Sequence, residues 1–256
     1  MKDLLRLEFR KLRTQKSFYI CLAIMVAMIL ISGFTYKMLA DHAEAIAEIT
    51  EGEQSLPLSG GAFMLSFLSA SNFSLISAIF VSIVVCGDYE SQIVKNVYAR
   101  GYSRNSYYFS KLLYVFAVTT VMFIATFAVS ALLGLVLFGF DGVEGKIFLL
   151  IAMQYIVTMA VIALYFSIAF MIKKLGGTIA VCIFAPMLVS LLFELADTAL
   201  KLNDFKVASV WLSSFTTDLS VLTVGMGRII ACVLLSVAYA VAFIFAGCAV
   251  NRNSEV

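Results

Sequence analysis

Charge is scarce in this sequence. Of 256 residues, 13% are Asp, Glu, Lys or Arg and 62% are hydrophobic, whereas a soluble domain carries about a quarter charged and half apolar residues. Histidine occurs once, at His42, without partners for a metal site or a catalytic triad. Neither G-x-S-x-G nor H-E-x-x-H is present, which argues against an intramembrane enzyme built on such a nucleophile or metal. Cys21, Cys86, Cys182, Cys232 and Cys248 sit in or beside apolar runs without metal-ligand spacing and read as small packing residues. There is no internal repeat and no low-complexity linker, so 1–256 reads as a single domain.

What is abundant is long, unalternating apolar sequence, with a mean hydropathy of +1.00. A helix crosses hydrocarbon with about 20 such residues, and only helices or closed barrels satisfy their backbone there. The pattern predicts six transmembrane helices at about 18–38, 63–86, 109–138, 147–171, 176–196 and 229–250. The first run follows many cations as a signal peptide does, but it is long and ends without a small-residue cleavage pattern, so it is expected to be retained. The region from Val207 to Met226 holds Trp211, Leu212, Phe215 and Leu219, yet Asp218 and a Ser-Thr-rich centre argue against a seventh crossing. The expected fold is therefore an all-α integral membrane protein with short re-entrant or interfacial helices in an outer loop over 197–228.

Orientation follows the distribution of Lys and Arg, which cytoplasmic loops retain. The N-terminal tail, the second loop, the Lys173-Lys174 turn and the C-terminal tail together hold thirteen of the 18 cations. Both termini are expected in the cytoplasm, in a multi-pass arrangement. Over 1–17, Leu5, Phe9 and Leu12 fall on one arc of a helix and Arg6, Arg10 and Arg13 on the adjoining one. That pattern predicts an interfacial amphipathic helix on anionic lipid, with Glu8 and Lys11 softening its edges.

Outside the bilayer, Asp41, Glu44, Glu48, Glu51 and Glu53 form an acidic loop that fits either attraction of cationic ligands or simple solubility. Near the outer end of the fifth span, beyond Pro186, Glu194 and Asp197 are possible outer-gate or substrate residues, since an acid within a membrane is costly. Ala238, Ala242 and Ala246 form a small-residue stripe that would let a neighbouring helix approach.

The segment 87–108 mixes Asp88, Tyr89, Glu90, Lys95, Arg100, Gly101 and Arg104 between two hydrophobic helices, a composition suited to docking on a soluble partner. Its acidic entry Asp88-Tyr89-Glu90, the Lys95-Asn96 pair, the Gly101-Tyr102-Ser103-Arg104 turn and the Ser110-Lys111-Leu112-Leu113 exit resemble ABC type-2 permeases. So does the run Leu7-Glu8-Phe9-Arg10-Lys11-Leu12-Arg13. In that family the loop forms a cytoplasmic coupling helix seated on the nucleotide-binding subunit. Gln92-Ile93 depart from the Gly-Thr of many relatives, which leaves the local turn open.

The resemblance implies an exporter permease in a bacterial plasma membrane, working with a second permease copy or a sister. A separate ABC ATPase would carry ATP and Mg, since this chain has no G-x-x-x-x-G-K-[ST] loop. The short length is similar to lantibiotic-immunity and phenol-soluble-modulin exporter permeases, which implies amphipathic or antimicrobial-type peptides as cargo. The cavity would then be lined by the second and fifth spans. No cofactor, metal or nucleic acid is expected on the chain itself. The competing readings are a secondary transporter, or a non-transporting sensor or scaffold coupled to an ATPase.

Overall fold

The structure, a computed structural model, describes residues 2–12, 15–41, 60–69, 71–139, 145–200, 207–220 and 224–253. The described residues are almost wholly helical. The helices are α1 (Lys2–Leu12), α2 (Lys16–Asp41), α3 (Gly60–Ser69), α4 (Ser71–Glu90), α5 (Ile93–Ala99), α6 (Arg104–Phe138), α7 (Gly145–Ile172), α8 (Leu175–Leu200), α9 (Leu212–Asp218) and α10 (Met226–Asn253).

Six stretches are long and apolar enough to cross a membrane: Lys16–Met38, Phe63–Glu90, Arg104–Phe138, Gly145–Ile172, Leu175–Ala199 and Met226–Arg252. They coincide with the six expected spans but run further at several ends. Hydropathy places the third start near 109, whereas α6 begins at Arg104. There Ser103 caps it, its side chain accepting from Ser106 N–H at 3.2 Å. Of the acidic first outer loop, Asp41 ends α2, and His42, Glu44, Glu48, Glu51 and Glu53 lie outside the described residues, as does Arg13.

At the bundle's centre α7 packs on α10, α4, α3, α8 and α9. One core gathers Phe80, Val81, Tyr108, Tyr114, Phe166 and Phe170. A second joins Leu65, Leu150, Val157 and Cys232 to Leu212 and Phe215. Large apolar side chains on the outside, among them Phe34, Val136, Phe184, Leu192 and Phe245, are more than half exposed. Water would not tolerate so wide an apolar surface, and lipid does.

The segment before the last span forms short helices, as expected: a 3-10 turn at Val207–Val210 and then α9. At seven residues α9 is far too short to cross. It rests on the bundle through Leu212 and Phe215, and Asp218 pairs with Arg228 at 2.6 Å. Ala238, Ala242 and Ala246 face outward within this chain. The tight approach on α10 occurs instead at Gly247, where an added Cβ would lie 2.6 Å from the Tyr108 hydroxyl.

Candidate functional site

The polar end of the bundle is organised around the segment between α4 and α6. After Glu90 the chain turns through Ser91 and Gln92 into α5, and Gln92 adopts a left-handed conformation (φ 56, ψ 16). Glycine takes that conformation freely, and any other residue does so at some cost. The departure from the Gly-Thr pattern is thus accommodated by a glutamine in a glycine's conformation. At the other end of α5, Gly101 has φ 85 and donates its N–H to Tyr98 O at 2.9 Å, which ends the helix.

The seven residues of α5 are themselves two-faced. Val94 is buried, and Val97 and Tyr98 pack against the core. Lys95, Asn96, Ala99, Arg100 and Gly101 are exposed. Half-burial pushes the Tyr98 phenol above its ordinary pKa, so this anchor is neutral.

Beneath α5 lies a cluster of four charges. Asp88 on α4 is buried, and its Oδ2 accepts from Lys111 Nζ at 2.5 Å and from the Tyr107 hydroxyl at 3.2 Å. Its Oδ1 accepts from Lys11 Nζ at 3.2 Å. Lys111, only 2% exposed, also donates to Glu8 Oε2 at 3.0 Å. Burying a lone charge costs several kcal/mol. Here two acids face two bases, and each carboxylate has a cation within hydrogen-bonding reach. The cluster fastens α1 to α4 and α6, with further ties from Tyr114 to Gln15 at 2.9 Å and from the Phe9 ring to Tyr114.

A second set of contacts draws in the rest of the bundle. Glu90 accepts from the Leu175 N–H at 2.9 Å, where the N-terminal dipole of α8 favours an acid. Lys173 lies over the Tyr89 ring, and its partial burial together with nearby Arg104 lowers its pKa. Asn251 near the end of α10 donates to Arg104 O at 3.3 Å, and Arg104 reaches Arg252 O and the Tyr98 ring. The segments that carry most of the cations therefore converge on one end of the molecule.

Among the residues singled out in sequence, Lys95, Arg100 and Gly101 point outward, Asp88 is buried, and Tyr89, Glu90 and Arg104 are engaged with neighbouring helices. On α1, Arg6, Phe9 and Arg10 are exposed, and Leu5 and Leu12 are half-buried. The protein-facing stripe is Leu4, Glu8, Lys11 and Leu12, so the residues that blur the amphipathic pattern are those that meet the bundle. Sequence reasoning missed Glu8, Lys11, Tyr107, Lys111 and Asn251 as site residues. The available signal was Lys111 just inside a long apolar run and Glu8 off its helix's polar face. Glu194 and Asp197 lie towards the opposite end of the bundle. Glu194 is exposed, and Asp197 accepts from the backbone N–H groups of Val207 at 2.6 Å and Ala208 at 3.0 Å, starting the 3-10 turn.

A family model described as "ABC-2 family transporter protein" matches residues 4–188, a stretch that contains most of α1, the four-charge cluster and α5. No curated protein matches the chain.

Proposed function

The chain belongs to the ABC-2 transporter family, the membrane component of an ABC transporter and not itself an ATPase, and from that premise we propose that it is an exporter permease driven through α5. Its polar end faces the cytoplasm with both termini, in a bacterial plasma membrane, and a separate nucleotide-binding subunit docks on Lys95, Asn96, Arg100 and Gly101. The single observation that carries this reading is the two-faced α5, exposed and basic outward and fixed inward above the Glu8, Lys11, Asp88 and Lys111 cluster.

Mechanically, the cluster makes the docking segment stiff. A push on α5 that merely bent a loop would be lost. With Asp88 tied to α6 and α1, the same push displaces three helices together. Paired with a second copy or a sister permease, that displacement alternates the access of a central cavity as the ATPases close on ATP. The cargo we favour is an amphipathic or antimicrobial-type peptide, on the strength of the resemblance to short peptide-exporting permeases.

Charge reversal tests the docking face directly. Lys95→Glu with Arg100→Glu should leave the purified chain folded, because exposed substitutions cost within about 0.5 kcal/mol. It should nevertheless abolish copurification of a nucleotide-binding subunit from native membranes and the associated export. An unaltered partner yield and unaltered export in that variant would sink the proposal.

A further inference from the structure

α1 has a second face that the four-charge cluster does not use. At about 100° per residue, Leu4, Glu8 and Lys11 share the arc that meets the bundle, and Arg6 and Arg10 fall on the opposite one, where both are exposed. The two arginines stand one turn apart, about 6 Å along the axis, so their like charges repel. Neither belongs to an ion pair among the described residues. An anion placed between them would relieve that repulsion, and a guanidinium fork suits a phosphate.

Phe9 shows the level at which they stand. Its ring meets that of Tyr114 edge-on at 5.8 Å, and Tyr114 lies three residues further into the span of α6 than Lys111. The Tyr114 hydroxyl also donates to Gln15 at 2.9 Å, at the corner where the chain turns from α1 into the membrane-crossing α2. Phe9 is therefore on the bilayer side of α1, and it is still 43% exposed. Hydrocarbon covers such a ring. Arg6 and Arg10 beside it stand at the height of the headgroups, the arrangement by which a surface helix takes anionic lipid.

Glu8 decides which way round the helix lies. An α1 that rolled off the bundle would turn this acid towards the same anionic headgroups and take it from Lys111. The seated helix keeps the acid inward and the two arginines outward, so lipid and bundle hold it from opposite sides.

We infer that Arg6 and Arg10 bind the phosphate of an anionic phospholipid whose acyl chain lies along Phe9, and that this contact keeps α1 seated, which makes the order of α5 above the cluster depend on lipid charge. A free phosphate ion has no use for Phe9, so the site is committed to lipid. No ATPase is needed, since the chain and its bilayer suffice.

The full chain is placed in nanodiscs of phosphatidylcholine, alone or mixed with phosphatidylglycerol, and hydrogen exchange is followed at the amides of α5. Phosphatidylglycerol should slow exchange there by about fivefold, the weight of one arginine near an anionic surface, and leave α9 at the other end unchanged. Arg6→Gln with Arg10→Gln should remove the lipid effect while exchange in phosphatidylcholine alone stays as in the parent. Graded phosphatidylglycerol content around the unmodified chain gives the same reading without a variant. In native mass spectra the parent should retain phosphatidylglycerol in preference to phosphatidylcholine, and the glutamine variant should retain both alike. Glycerol phosphate added to phosphatidylcholine nanodiscs should have no effect. Equal exchange in the two lipids, a lipid effect that survives in the glutamine variant, protection shared by α9, or glycerol phosphate matching the lipid would each overturn the inference.

Discussion

The ammonium of Lys111 stands 2.5 Å from the carboxylate of Asp88 and 3.0 Å from that of Glu8, joining α6 to α4 and to α1 through one side chain. Three segments far apart in sequence thus share a single buried cation. Replacing it with an apolar residue of similar length, Lys111→Met, leaves Glu8 without its cation and Asp88 with Lys11 alone, and should destabilise the chain by about 3–5 kcal/mol. Adding Asp88→Leu leaves Glu8 and Lys11 as a balanced pair. The double variant should lose less than the sum of the singles, by about 0.5–3 kcal/mol in a double-mutant cycle of unfolding in detergent. Additive losses would show that the two residues do not act as a unit.

Gln92 provides a test of backbone rather than charge. Its positive φ is tolerated by glutamine and strongly disfavoured for a β-branched side chain. Gln92→Val should therefore cost about 1–2 kcal/mol, whereas Gln92→Gly should cost nothing measurable. Thermal unfolding of the three chains side by side decides it, and equal losses would remove the left-handed turn from the account.

At Gly247 the added methyl of alanine would fall 2.6 Å from the Tyr108 hydroxyl, which itself donates to Ile244 O at 2.9 Å. Gly247→Ala should destabilise by about 1–3 kcal/mol through overpacking. Tyr108→Phe removes the clashing oxygen, so in its background the same glycine substitution should cost markedly less. A penalty independent of residue 108 would contradict this contact.

Asp197 holds two backbone N–H groups at the start of the 3-10 turn. Asp197→Ala should release them at a cost of about 1 kcal/mol, read as faster hydrogen exchange at Val207 and Ala208. Asp197→Asn keeps an acceptor oxygen and should stay close to the parent. If the alanine variant leaves those amides equally protected, the capping role fails.

Much of the fold could be read from hydropathy, because a helix in lipid must be apolar along its whole length and leaves an unambiguous run. Asp218 likewise marked the stretch before the last span as no crossing, and it is paired with Arg228 at the edge of the bundle. The charged cluster was harder to read, since no local periodicity links Glu8, Asp88 and Lys111. Glu8 looked like an acid misplaced on a basic helix and Lys111 like a lysine misplaced in an apolar run, while Asp88 was singled out only as part of a docking segment. Only their meeting accounts for all three. The alanine stripe on α10 is a different case, since it faces outward within this chain. Its spacing was regular, but small residues permit a close approach without requiring one, and Gly247 is where α10 touches the Tyr108 hydroxyl.

The four charges at the base of α5, of which Glu8, Asp88 and Lys111 are buried, also have an electrical consequence. Moving one elementary charge through a membrane potential takes work, about 2.3 kcal/mol per 100 mV. Glu8 and Asp88 cancel Lys11 and Lys111 within one cluster. Shifting that cluster as a body along the bilayer normal carries no net charge across the field. The cluster would therefore add nothing of its own to the voltage dependence of a stroke delivered through it, which would rest with the exposed cations around it, such as Lys95 and Arg100.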